Sequence, residues 1–202
     1  MKTKPRLLIA SNNKGKLEEL QAILQGLEIE LVLPADIGLE LDVEEDGQTY
    51  AENATKKALA FSQASGLTSL ADDSGLEVDH LNGAPGLHSK RFAPIPNATD
   101  ADRRAYLLQQ LNGKPRPWGA KFRATVAVAS PGRGVKLVEG ICAGEIIPIE
   151  RGNGGFGYDP IFLLARTDKT MAELDMDEKN RLSHRGQAVS KIIPFLAELL
   201  EI

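Results

Sequence analysis

The sequence predicts an α/β protein built on a mixed, strongly twisted central sheet with flanking helices, and three observations carry that expectation. Short apolar runs alternate with amphipathic helical stretches through the first half of the chain. A long hairpin occupies the middle, joined at Pro131-Gly132-Arg133-Gly134, so the sheet is not purely parallel. At 202 residues, 42% hydrophobic and 26% charged, the chain has ordinary globular composition and length enough to bury a sizeable core.

Residues 6–10 read as a buried first strand and residues 11–16 as a polar loop. From residue 16 to 24, Leu17, Leu20, Ile23 and Leu24 recur at helical spacing. A second strand is expected over 29–33, then an acidic connection over 39–47. Thr49 caps a helix over 50–65, with Glu52 three residues on completing a capping box and Gly66 ending it. Residues 67–71 read as a strand that Ser74-Gly75 leaves by a sharp turn. A Gly- and Pro-rich loop over 82–86 follows, and Thr99 caps a helix running to Leu111. The two hairpin strands cover 121–130 and 135–149, and a short strand covers 160–164. Thr170 with Glu173 forms another capping box before a polar helix, and Pro194 bends a last helix over 183–200. With no internal repeat or disordered linker, residues 1–202 are expected to form a single domain.

Composition removes several function classes. A net charge of −4 provides no basic field for sequence-independent nucleic-acid binding. Phosphate chemistry would therefore need locally gathered lysines or a metal. The single cysteine, Cys142, excludes an internal disulfide and a Cys-based zinc site, and its neighbours Ile141 and Ala143 place it in the core. Lys2, Lys4 and Arg6 precede only the short apolar stretch 7–10, too brief for a secretory signal, and no run approaches the ~20 apolar residues of a membrane span. The cytoplasm is the expected compartment.

Asp72 and Asp73 lie where an apolar run ends, the position at which α/β proteins collect ligands. Adjacent carboxylates are tolerated there chiefly when a cation or a proton comes between them; Asp-Ser-Gly is equally an ordinary solvated turn. Ser11-Asn12-Asn13-Lys14-Gly15-Lys16 joins strand to helix, offering free backbone N–H groups and two ammoniums to a phosphate, or only a capped helix with exposed lysines. It is not a Walker A loop. Lys57 could reach inward as a further cation, whereas Glu52 and Lys56 suit a surface pair. Glu44-Glu45-Asp46 is either a solvated loop or a source of oxygen ligands for a hard cation. In Gly152-Asn153-Gly154-Gly155-Phe156-Gly157-Tyr158-Asp159, glycines framing an aromatic let backbone approach a ligand while the ring offers a flat face to a base, or simply pack. His184 and Arg185 supply donors at a helix start; His80 and His88 are isolated and suggest no zinc site.

Taken together, segments 11–16, 49–58, 71–75, 154–162 and 183–188 resemble, in order and spacing, the inosine/xanthosine triphosphate pyrophosphatase (Ham1-like) family, over essentially the whole chain. The resemblance implies two lobes around a substrate cleft, a homodimer, and Mg²⁺-dependent hydrolysis of ITP, dITP and XTP to monophosphate and pyrophosphate. It implies that Ser11, Asn12, Asn13, Lys14, Gly15 and Lys16 hold the triphosphate, aided by Lys57 and Lys179. Glu44 and Asp73 would hold magnesium, Asp73 would also be the base, and Ser74 would adjoin the substrate. Phe156, Gly157, Tyr158, Asp159, His184 and Arg185 would line the base pocket. His88 departs from the tyrosine common in bacterial relatives, leaving Lys90 or Arg91 as the basic residue there. The substrates implied are free purine nucleotides, with no nucleic acid and no membrane. Two alternatives are a non-catalytic nucleotide-binding module and a related hydrolase selecting pyrimidines or modified bases.

Overall fold

The computed structural model describes residues 4–202; Lys2 lies outside them. Six strands form one curled, mixed sheet: β1 (Arg6–Ile9), β2 (Glu30–Val32), β3 (Thr68–Val78), β4 (Trp118–Ala129), β5 (Val135–Ile146) and β6 (Phe162–Leu164), in the order β2-β1-β3-β4-β5-β6. β1 runs parallel to β2 and β3, and β5 antiparallel to β6. The helices are α1 (Lys14–Leu24), α2 (Tyr50–Ser65), α3 (Asp100–Leu111), α4 (Met176–Leu182) and α5 (His184–Leu200), with Pro194 inside α5.

The described residues divide into two compact units, one of residues 4–73, 124–140 and 185–202, the other of 74–123 and 141–184. In the first, strand alternation sorts the core onto two faces. Leu7, Ile9, Leu70, Ala124, Val126 and Val128 pack with Leu20 and Leu24 of α1 and with Val189, Ile192 and Leu196 of α5. Their neighbours Leu8, Ala10, Ala71, Ala127 and Ala129 pack with Ala54, Ala58 and Phe61 of α2. Small side chains on that second face let α2 lie close to the sheet, and burial of Phe61 adds roughly 1.5–3 kcal/mol. In the second unit, Leu76, Val78, Trp118, Phe122, Cys142 and Phe162 pack with Leu107 and Leu111 of α3.

α2 keeps its expected bounds, with Gly66 left-handed at φ 71°. Its capping box is only half formed: Thr49 accepts from the Glu52 N–H at 3.1 Å, while the Glu52 carboxylate accepts from Gln48. Thr170 and Glu173 do form the expected capping box, with the Thr170 N–H donating to Glu173 at 2.7 Å, but it opens a 3₁₀ turn over Met171–Glu173, and the Thr170 hydroxyl also donates to the Arg151 carbonyl. The polar helix α4 begins instead at a second box, Asp175 with Glu178. The expected strand 160–164 begins as a 3₁₀ turn over Asp159–Ile161, leaving β6 three residues.

The principal correction concerns β3. No turn interrupts it at Ser74-Gly75; the strand runs unbroken from Thr68 to Val78. Apolar alternation resumes at Leu76 and Val78, both fully buried, while Glu77 points outward to Arg123 at 2.9 Å. That continuing pattern, with β4 as the sheet neighbour, outweighs the local turn composition of Ser-Gly.

Candidate active site

The two adjacent aspartates sit inside a strand, so their side chains leave on opposite faces of the sheet. Asp72 shares its face with Leu70, over α1 and α5; Asp73 shares its face with Ala71, over α2. Their nearest partners differ, although Lys16 and Lys57 act electrostatically on both.

Asp72 is almost wholly buried. Its Oδ2 accepts from Arg185 Nε at 3.1 Å and Nη2 at 3.0 Å, and lies 3.3 Å from Lys16 Nζ. Arg185 Nη1 donates to Glu19, itself 4% exposed. Burial would raise the Asp72 pKa, but Lys16, Arg185 and Lys57 together hold it below the usual carboxylate range. Burial also lowers the Lys16 pKa, against the pull of Asp72. Asp72 Oδ1 is buried with no hydrogen-bond partner in the structure.

Asp73 takes the opposite shift. Burial raises its pKa, and Lys57, Lys16 and an Asn53 hydrogen bond offset that only in part. Lys57 Nζ lies 3.8 Å from Asp73 Oδ1, 2.6 Å from Glu45 Oε1 and 2.7 Å from the Asp72 carbonyl. Asn53 donates from Nδ2 to Asp73 Oδ2 at 3.0 Å and accepts the Gly47 N–H at 2.8 Å, tying the acidic loop to the carboxylate. Only glycine fits at position 47, where a Cβ would lie 2.6 Å from Asn53 Oδ1.

Loop 11–16 folds as a cap. Asn13 Oδ1 accepts the Lys16 N–H at 3.2 Å, and Ser11 Oγ accepts the Asn13 N–H. Asn12 is exposed, Gly15 lies within α1, and Lys14 points to solvent near Glu18. Lys16 alone of this loop turns its ammonium to the buried carboxylates. Glu45 reaches Lys57, whereas exposed Glu44 offers its carbonyl to Lys56 at 3.5 Å. Among the described residues no three His, Cys, Asp or Glu side chains gather as a metal cage. The donors near Lys57 are nonetheless all oxygen, and two carboxylates converge where an ammonium now sits. That donor set fits a hard divalent cation.

In the second unit the glycine-rich loop builds a separate cluster. Asp159 Oδ2 accepts the Phe156 N–H at 2.8 Å and the Lys179 ammonium at 2.7 Å, and Lys179 Nζ lies 5.1 Å from the Phe156 ring centre. A Cβ on Gly155, at φ 70°, would come within 2.9 Å of Lys179 Nζ. Tyr158 donates its hydroxyl to the Ser89 carbonyl at 2.9 Å, and burial pushes its pKa up. His184 stacks on Phe122 at 4.8 Å. Ser74 is half-buried on β3. Lys90 and Arg91 are both exposed, and Arg91 Nε donates to His88.

The structure thus brings Lys16, Lys57, Asp72, Asp73 and Arg185 together in the first unit, and Phe156, Asp159 and Lys179 in the second. Sequence reasoning missed Asn53 and Glu19. Both carry a legible signal, a polar side chain on the buried stripe of an amphipathic helix.

Residues 7–195 match the Ham1 family. A protein of Desulforamulus reducens named dITP/XTP pyrophosphatase is 46% identical over 195 residues, 96% of each chain. One of the same name from Gloeobacter violaceus is 49% identical over 188 residues, 93% of this chain and 92% of its own. Among solved structures, a HAM1 protein from Coxiella burnetii is 40% identical with a TM-score of 0.85, covering 96% of this chain and 99% of its own. The Staphylococcus aureus Ham1 protein is 37% identical with a TM-score of 0.84, covering 96% and 98%.

Proposed function

Since the chain belongs to the Ham1 family, we propose that it hydrolyses the noncanonical purine triphosphates dITP, ITP and XTP to the monophosphate and pyrophosphate. The name dITP/XTP pyrophosphatase carried by its relatives supports the substrate class. The observation that carries the chemistry is Asp73, a buried carboxylate with a raised pKa held 3.8 Å from an inward-turned lysine.

In this reading Lys16 and Lys57 neutralise the phosphates, and the N–H groups opening α1 add donors. Asn53 fixes the Asp73 carboxylate so that Oδ1 faces the reacting water and takes its proton. Asp73 and Glu44, with Glu45 beside Lys57, would hold Mg²⁺. The ion, when bound, neutralises charge developing on the phosphate oxygens. Phe156 presents its face to the purine, with Lys179 and Asp159 behind it; Gly157, Tyr158 and His184 complete that side. Arg185 acts from beneath by holding Asp72. The whole chain works as one catalytic domain, a cytoplasmic homodimer acting on free nucleotides. No helix among the described residues is long and apolar enough to cross a membrane.

The test incubates purified protein with dITP, XTP, ATP, GTP and dUTP, with and without Mg²⁺, and separates pyrophosphate from orthophosphate. Pyrophosphate from dITP and XTP only when Mg²⁺ is present is expected. Orthophosphate as the sole product, or equal turnover of ATP, would overturn the proposal.

A further inference from the structure

The loop that carries Phe156 is poor in intrinsic order. Four of the six residues from 152 to 157 are glycine, and Gly152, Gly155 and Gly157 are left-handed at φ 82°, 70° and 63°. Glycine loses more backbone freedom on ordering than any other residue, so a loop of this kind holds one shape only if other groups grip it. Gly157 is gripped at both ends of its backbone. Its N–H donates to Asp100 Oδ2 at 2.8 Å, and its carbonyl accepts from Arg104 Nη1 at 2.9 Å. Asp100 and Arg104 are four residues apart and share one face of α3.

The clamp is itself held. Arg104 donates from Nε and Nη2 to the two Glu150 oxygens at 2.8 and 2.9 Å, which leaves Nη1 aimed at Gly157. Asp100 Oδ1 is paired with Arg103, which donates from Nη1 to the Lys90 carbonyl at 3.2 Å. On the other side of Phe156, Asp159 takes its N–H. The peptides before and after Phe156 therefore each have a fixed carboxylate acceptor, and the direction of the ring follows from the two together.

We propose that Asp100 and Arg104 are positioning residues for base recognition, presenting Phe156 to the purine by holding Gly157. This rests on the reading of Phe156 as the base-stacking residue. Neither residue touches substrate; both act through the loop.

The experiment measures kcat and KM for dITP in Asp100→Ala, Asp100→Asn, Arg104→Ala, Phe156→Ala and the Asp100→Ala/Phe156→Ala double variant, with a thermal melt of each. Asp100→Ala and Arg104→Ala are expected to raise KM about tenfold, the value of one lost oriented contact, with kcat within about twofold. Asp100→Asn keeps an acceptor oxygen and should return KM to within about threefold of the parent. In the double variant, loss of Asp100 should add nothing to loss of Phe156, a coupling that simple destabilisation does not produce. An unchanged KM in Asp100→Ala, or fully additive losses, would overturn the clamp. Should Asp100→Ala fail to fold, Arg104→Ala and Asp100→Asn decide. An unchanged KM in Phe156→Ala would instead sink the base-site reading and the clamp with it.

Discussion

Arg185→Met is the most demanding perturbation of the buried network. Methionine keeps the length and apolar stem of the side chain but removes the guanidinium that joins Asp72 to Glu19. Asp72 loses donors at 3.0 and 3.1 Å and keeps Lys16, 3.3 Å away, and the pull of Lys57. Glu19, 4% exposed, loses the Arg185 guanidinium. Removing one partner of a buried pair costs about 3–5 kcal/mol, because an uncompensated charge stays behind. For a chain of this size that is a fall in melting temperature of roughly 6–20 °C. Urea unfolding at a series of pH values reads both size and sign. Because the Asp72 pKa is depressed in the folded state, it contributes stability that is present above its unfolded value, about 3.9, and is lost as pH falls further. The unfolded chain titrates alike in parent and variant, so the deficit should be full at pH 7 and shrink as acid protonates Asp72. A loss under about 1 kcal/mol at pH 7, or a deficit that does not shrink in acid, would refute the account.

Asp73→Asn should cut pyrophosphate release at least about 100-fold while leaving the melting temperature unchanged or higher. Its raised pKa marks the charged form as disfavoured by folding at neutral pH, and an active variant would remove Asp73 as the base. Asn53→Ala should lower kcat roughly tenfold and stability by about 1–3 kcal/mol, since it removes a donor from Asp73 Oδ2 and the acceptor of the Gly47 N–H; unaltered kinetics would detach Asn53 from the mechanism. The buried Cys142 thiol, pushed up to about 11, should resist alkylation at pH 8 in the native protein and react on unfolding. Its stability contribution is complete below about pH 8.5 and lost as pH rises through about 11, a slope that Cys142→Ala should remove.

Much of this arrangement is legible in the sequence. The α2 helix follows from Thr49, Gly66 and the stripe of Ala54, Ala58 and Phe61, all of which act locally. Residue type and spacing mark Asp72 and Asp73, the lysine-bearing loop 11–16 and the Gly-framed Phe156 as candidates, each with a plain structural alternative, and only the family resemblance assigns them roles. The path of β3 does not, because Ser74-Gly75 is turn-like in isolation and only pairing within the sheet makes it extended. The clamp on Gly157 is equally hidden: Asp100 and Arg104 read as ordinary polar positions on a capped helix, and their partner lies more than fifty residues away.

Continuity of β3 is also what makes two identical side chains chemically different. Had the strand ended at Ala71, both aspartates would stand in a solvated turn with similar pKa values. Because it continues, the two-residue period sends Asp72 towards Lys16 and Arg185 and Asp73 towards Asn53 and Lys57. With Arg185 added to Lys16 and Lys57, the buried Asp72 is kept ionised, whereas the cations acting on Asp73 do not offset its burial. An acid that stays charged is suited to anchoring cations, and one whose pKa burial raises is the better proton acceptor of the two. Division of labour between adjacent aspartates thus needs no special residue, only a strand that does not turn.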